Sequence, residues 1–243
     1  LRGGSSPMLS ALVPNERGMQ SALEAIREWP GRLGKVSVFT AASETFAKKN
    51  TNASIAETIE RFKPVIAAAR DAGLAVRGYI SCVIACPFEG SIAPERVAEV
   101  ADQLASLGID ELDLGDTIGA GTPESITTML DAVDDVWFVG VNPDESAANA
   151  RTTLHLHDTF GRAPECVKAA LDAGVRSFDG SVAGLGGCPY ASTPGKRAPG
   201  NIDTRLLVET IHNAGYSTYV DLDRLDEAAA FAREIVAKAR ASA

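Results

Sequence analysis

No apolar run in the sequence approaches the ~18 residues of a transmembrane helix, and the N-terminus shows neither a basic-then-apolar signal pattern nor an Arg-rich amphipathic stretch. A membrane partner is not expected, and the expected location is cytoplasmic. Cysteine is scarce: Cys82, Cys86, Cys166 and Cys188 are too few and too scattered for a disulfide scaffold, so reduced thiols are expected. Positive charge is also in deficit. With 23 Lys+Arg against 32 Asp+Glu the formal charge is -9, and no basic cluster with interleaved aromatics offsets it, so nucleic acid is not an expected partner. No G-x-G-x-x-G follows the first candidate strand, which leaves a dinucleotide-binding sheet without its fingerprint.

What the 243 residues do contain is the profile of a globular chain, 45% hydrophobic and 23% charged, long enough for one sizeable core. Strand-length apolar runs at Met8–Val13, Lys35–Ala41, Ala75–Ser81, Glu111–Asp116, Thr152–Asp158 and Ser177–Val182 alternate with helical patterns. The helices are expected near Arg17–Glu28, Ile55–Ala72, Pro94–Leu107, Pro123–Val133, Pro164–Ala173 and Thr204–Ala214, with a last one at Leu225–Ala239. Several open with Pro and several stop at a Gly such as Gly73, Gly108, Gly174 or Gly215. This alternation is that of α/β units on a parallel sheet. The expectation is a (β/α)8 TIM barrel forming one domain over residues 1–243, of which six βα units are visible. A closed barrel has eight. The chain begins with Leu1 rather than Met, and Leu1–Pro7 reads as the tail of a helix and its loop, so about the first two βα units are expected to be lacking. An open doubly wound sheet is the alternative. Asn142–Arg151 reads as a surface insertion, and Ala191–Gly200 as a Pro- and Gly-rich loop close to the chemistry.

Two of the three histidines, His155 and His157, stand two apart at a strand end, which puts both imidazoles on one face. They make half of a divalent-metal site, or else a pair of packed core histidines. Asp116 ends another strand before a Gly-rich turn, as a base or substrate-orienting group or as a cap for the next helix. Asp158 points to the opposite side from His157 and reads as structural, as does His212. Cys188, in Ser181-Val-Ala-Gly-Leu-Gly-Gly-Cys-Pro-Tyr190, is on a pliable loop where a thiol can act as proton donor or nucleophile; Cys82, Cys86 and Cys166 read as packing residues. Lys48 and Lys49, in the loop after the second strand, are anion contacts or a solvated pair. Arg77, on a barrel strand, needs a carboxylate or an acidic ligand as partner.

On these residues the sequence resembles the hydroxymethylglutaryl-coenzyme A lyases, of the metal-dependent lyase and synthase barrels. Ser181–Tyr190 is similar to their cysteine active-site signature. Further similar stretches are Phe39–Asn50, Val76–Cys82, Leu114–Gly119 and His155-Leu-His-Asp-Thr159. The resemblance implies that His155, His157 and Asn201 are metal ligands, that Cys188 is the loop acid, that Asp116 is a catalytic carboxylate, and that Arg77 and Tyr79 lie in the substrate pocket. The implied cofactor is Mg²⁺ or Mn²⁺, chelating the C3 hydroxyl and an acyl oxygen of hydroxymethylglutaryl-CoA while its C2–C3 bond breaks to give acetyl-CoA and acetoacetate. The expected partners are an acyl-CoA substrate and a second copy of the chain in a homodimer. The sequence departs from the family in lacking the first-strand Arg-Asp pair, in a longer loop between Cys188 and Asn201, and in Arg205 where an acidic residue is expected. An acyl-CoA condensing synthase or aldolase of the same superfamily, or a catalytically silent remnant, are the competing readings.

Overall fold

Apolar residues at alternate positions, with a second alternate set that is polar, build the sheet. In the computed structural model, which describes residues 7–137, 151–187 and 200–241, the strands β1 (Leu9–Leu12), β2 (Leu33–Ala41), β3 (Ala75–Ser81), β6 (Glu111–Asp116), β7 (Thr152–Leu156) and β8 (Ser177–Asp179) form one parallel sheet. β4 (Ala85–Cys86) and β5 (Gly90–Ser91) make a separate small antiparallel pair. The six main strands pair in chain order, with no reversal. A doubly wound sheet would reverse at a switch point, where its ligand would sit; sequential parallel winding is the arc of a barrel, and the sheet is a parallel half-barrel.

The helices that return the chain are α1 (Glu16–Glu28), α2 (Glu44–Thr51), α3 (Ile55–Asp71), α4 (Pro94–Ser106), α5 (Pro123–Asp134), α6 (Ala163–Asp172), α7 (Thr204–Asn213) and α8 (Leu222–Ala241). Their ends follow local chemistry. Ser54 and Glu57 form a reciprocal capping box on α3, Thr122 and Ser125 do the same on α5, and Pro94 and Pro123 open α4 and α5. α3 is followed by Gly73 at φ 70°, a left-handed turn residue that lets the chain drop directly into β3.

One face of the sheet meets this helical layer. Val36, Val38, Val76, Ile80, Leu112, Leu114, Leu154 and Leu156 are all buried there, against Phe62, Val65, Val100, Leu104, Ile126, Met129 and Val167. Period two sends the intervening residues to the concave face: Lys35, Ser37 and Phe39 from β2, Arg77 and Tyr79 from β3, Glu111 and Asp113 from β6, Thr153 and His155 from β7, and Ser177 and Asp179 from β8. Register places Arg77 opposite Glu111, Tyr79 opposite Asp113, and His155 between Gly115 and Asp179.

Several boundaries differ from expectation. Lys48 and Lys49 lie on α2 rather than in a loop; Ser43 caps this helix by accepting from the Phe46 N–H, and Phe46 and Ala47 bury its one apolar turn. β7 ends at Leu156, and His157 continues as an isolated bridge to Asn201. β8 ends at Asp179, followed by a 3-10 turn at Val182–Gly184. The loop from Ala191 and all of the expected insertion except Arg151 fall outside the described residues, apart from Gly200.

Candidate active site

The concave face opens on a cavity of about 960 Å³ whose walls include Phe39, Phe46, Asn50, Arg77, Tyr79, His155, His157, Asp179 and Asn201. Three of these are the residues expected to hold a metal. β7 delivers His155 and the residue just beyond it His157, with ring centroids 5.4 Å apart. The segment entering α7 delivers Asn201 opposite His157: the Gly200 carbonyl accepts from the Asp158 N–H, and the Ile202 N–H donates to the Leu156 carbonyl. His155 Nε2 lies 3.1 Å from Asn201 Oδ1, and Asn201 Nδ2 donates to the Leu185 carbonyl at 3.0 Å, which fixes the amide with its oxygen toward the imidazole.

The donor set suits a divalent cation. Adjacent oxygen and nitrogen ligands on an octahedral ion with bonds of about 2.1 Å stand about 3 Å apart, which is the separation of His155 Nε2 and Asn201 Oδ1. His157 Nδ1 is buried without a hydrogen-bond partner among the described residues. Burial, with the neighbouring His155, pushes His157 down to about 4, so at neutral pH its imidazole is uncharged and carries a free lone pair.

A charged layer supports this group from behind. Arg77 donates from Nε to Glu111 Oε2 at 2.7 Å and from Nη1 to Asp113 Oδ2 at 3.2 Å and Asp179 Oδ1 at 3.0 Å. Tyr79 Oη donates to Asp179 Oδ2 at 3.0 Å, and the same oxygen lies 3.4 Å from His155 Nδ1. Lys35 of β2 pairs with Glu111 across the intervening β3. Burial, reinforced by the charge of Asp179, holds Asp113 well above the usual carboxylate range. Burial pushes Asp179 the same way, but its bonds to His155, Arg77 and Tyr79 outweigh it and hold the carboxyl well below that range. Asp113, His155 and Asp179 offer ligand atoms within 4.8 Å of one another. Neither carboxylate was singled out from the sequence, although each follows from period two: Asp113 is two residues after Glu111, and Asp179 two after Ser177, on the face where Arg77 requires acids.

Arg77 and Tyr79 line the cavity, with their polar ends committed to protein carboxylates. Lys48 and Lys49 are exposed on α2, with Lys49 Nζ 4.7 Å from the Phe88 ring centroid; neither lines the cavity, although Phe46 and Asn50 of the same helix do.

Asp116 is placed elsewhere than a catalytic carboxylate would be. Period two turns it away from Asp113 and Gly115, and it is 2% exposed on the helix side, accepting from the N–H groups of Ala120 at 3.0 Å and Gly121 at 2.8 Å. It organises the turn before α5 and does not line the cavity. That turn needs glycine. Gly119 has φ 70°, and a Cβ there would lie 2.7 Å from the His157 carbonyl oxygen. Asp158 accepts from the Ala163 N–H at the start of α6, the structural part expected of it, and His212 meets Thr218 at the surface. Cys82, Cys86 and Cys166 are buried. Cys188 lies outside the described residues; its loop is described up to Gly187, which lines the cavity.

Known proteins share this arrangement of elements. A family model described as HMGL-like matches residues 4–232. The chain is 48% identical over 214 residues to the hydroxymethylglutaryl-CoA lyase of Pseudomonas mevalonii, covering 88% of this chain and 64% of that one. It is 43% identical over 227 residues to the cytoplasmic 3-hydroxy-3-methylglutaryl-CoA lyase of Rattus norvegicus, covering 93% of this chain and 60% of that one. The chain thus spans less than two thirds of these relatives' length. Among solved structures, the HMG-CoA lyase from Brucella melitensis superimposes with a TM-score of 0.81 at 46% identity, covering 93% of this chain and 73% of that one.

Proposed function

The chain belongs to the HMGL-like family, and from that membership we propose that it is a carbon-carbon lyase cleaving 3-hydroxy-3-methylglutaryl-CoA to acetyl-CoA and acetoacetate. The observation that carries this reading is the convergence of His155, His157 and Asn201 on one cavity wall, with His155 Nε2 and Asn201 Oδ1 separated as two ligands of one ion are. These three residues would hold a divalent cation, Mg²⁺ or Mn²⁺, which would supply Lewis-acid chemistry toward the substrate's oxygens.

The chain's own groups do the rest. The C3 hydroxyl proton passes to a water molecule in the cavity, a carbonyl forms at C3 as the C2–C3 bond breaks, and the electron pair passes to the acetyl-CoA enolate. Cys188 Sγ–H donates its proton to C2 of that enolate, and the thiolate left behind takes up the proton first released from the hydroxyl. Arg77 and Tyr79 act as the pocket's base: they hold Asp113 and Asp179 in place. Lys48 and Lys49, exposed on the helix whose Phe46 and Asn50 line the cavity, meet the phosphates of the coenzyme A moiety. Asp116 keeps the turn against His157 and takes no proton. Cys86 and Cys166 are buried free thiols, which supports a reducing compartment, the cytoplasm, and the functional unit is a homodimer.

The test is a coupled assay of acetoacetate release from hydroxymethylglutaryl-CoA. Activity abolished by EDTA and restored by Mg²⁺ or Mn²⁺ is expected; full turnover in metal-free buffer would overturn the assignment.

A further inference from the structure

The two histidines of the site are held differently. His157 Nδ1 has no partner among the described residues, whereas His155 stands between two acceptors, Asp179 Oδ2 at 3.4 Å from Nδ1 and Asn201 Oδ1 at 3.1 Å from Nε2. A neutral imidazole carries one N–H and can satisfy only one of them. We propose that Asp179 is a positioning residue that holds His155 in its Nδ1–H tautomer, leaving the Nε2 lone pair aimed with Asn201 Oδ1 at a shared cation.

The Asn201 contact is the shorter of the two, but charge and anchoring favour Asp179 as the winner of that proton. An ionised carboxylate is the stronger acceptor of the two, and this one is fixed on both oxygens, Oδ1 by Arg77 and Oδ2 by Tyr79, each at 3.0 Å. The Tyr79 ring meets His155 edge-on, at 6.4 Å between centroids, which limits rotation of the imidazole. The same engagement argues against Asp179 as a ligand itself, although it lies close enough with Asp113 and His155 to form a cluster. A carboxylate behind a ligating histidine fixes its orientation and raises its basicity, an effect typically worth 10–100-fold in metal affinity.

This inference rests on His155 as a metal ligand, but its test needs no turnover. The metal-free chain labelled with ¹⁵N-histidine, with three histidines to assign, is examined by long-range ¹H–¹⁵N correlation at a pH about two units above the ordinary imidazole value, and Mn²⁺ affinity is measured by titration. The His155 signal should be Nδ1–H. In Asp179→Ala it should move to Nε2–H while the Mn²⁺ Kd rises roughly 10–100-fold. Asp179→Asn, whose amide oxygen can still accept from Nδ1–H, should keep the tautomer and lose less affinity than the alanine variant. An Nε2–H signal in the parent chain, or an unchanged tautomer in Asp179→Ala, would overturn the proposal. Equal Mn²⁺ losses in both variants with the tautomer intact would make Asp179 a ligand and overturn it as well. Failure to cleave hydroxymethylglutaryl-CoA would bear on the proposed reaction alone.

Discussion

Arg77 and Glu111 face each other on neighbouring strands, with Nε 2.7 Å from Oε2, and the same guanidinium reaches Asp113 and Asp179. One cation thus neutralises carboxylates from two strands on a face with little solvent. Arg77→Met should therefore lower unfolding free energy by about 3 kcal/mol, the usual cost of leaving buried acids unpaired. Urea unfolding followed by circular dichroism measures it. Lys63→Ala, which breaks an exposed pair with Glu60, should leave the midpoint unchanged.

The same ladder predicts acid sensitivity. Burial pushes Glu111 up, but the Lys35 and Arg77 bonds outweigh it and hold its carboxyl below the ordinary value. The unfolded chain then takes up the proton first as pH falls, so the stability contributed by Glu111 is present above about pH 4.3 and drains away below it. Glu111→Gln should flatten that part of the stability-against-pH curve. A curve of unchanged slope would mean that other carboxylates set the acid limit.

Gly119→Ala should cost about 2–3 kcal/mol, from a left-handed φ and a contact with the His157 carbonyl that cannot be relieved by a side-chain rotation. Mn²⁺ affinity should fall with it, since the carbonyl belongs to a ligand residue. Gly161→Ala, at φ 73° with open space around the Cβ, should cost only the conformational part, about 1 kcal/mol, and leave Mn²⁺ binding intact.

For Asp116→Ala the expectation is a stability loss of about 2 kcal/mol, because two N–H groups of the turn lose their buried acceptor. Thermal melts and kcat measured together decide its role. A large drop in kcat at an unchanged Tm would return Asp116 to the chemistry.

Cys188→Ser should lower kcat at least about 10²-fold, since a hydroxyl is a far poorer acid than a thiol, with Mn²⁺ affinity preserved. Cys82→Ser should leave kcat nearly untouched, as Cys82 is fully buried beneath the sheet's end. Equal losses in the two variants would show that the wrong cysteine has been assigned.

Much of the fold was legible because burial on one side of a parallel strand writes itself as alternation. All six strands of the main sheet and seven helices lie where apolar spacing, prolines and glycines place them. α2 escaped because its eight residues bury only Phe46 and Ala47, too few to set a period; Ser43 before it was the readable signal. The site was legible where residue type is decisive, as in His155 and His157, and less so where only parity decides. Asp116 and Asp113 are both aspartates on one strand, and an odd separation of three positions is enough to send one into the helix layer and the other to the concave face. Asp179 was hidden for a different reason: its importance comes from Arg77, Tyr79 and His155, two of which lie about a hundred positions away in the chain.

The inner-face charges also act as a fidelity device during folding. A one-position slip of β3 would carry Arg77 to the opposite side, a slip of β6 would carry Glu111 and Asp113 there, and a slip of both would put all three among Leu104, Ile126 and Met129 and bring Val76, Leu112 and Leu114 to the cavity. An unpaired ion in that apolar layer costs several kcal/mol, comparable with the whole stability of a typical domain when three are misplaced at once. Misaligned pairings are thereby disfavoured, and the polar groups of the concave face double as an alignment key for the sheet.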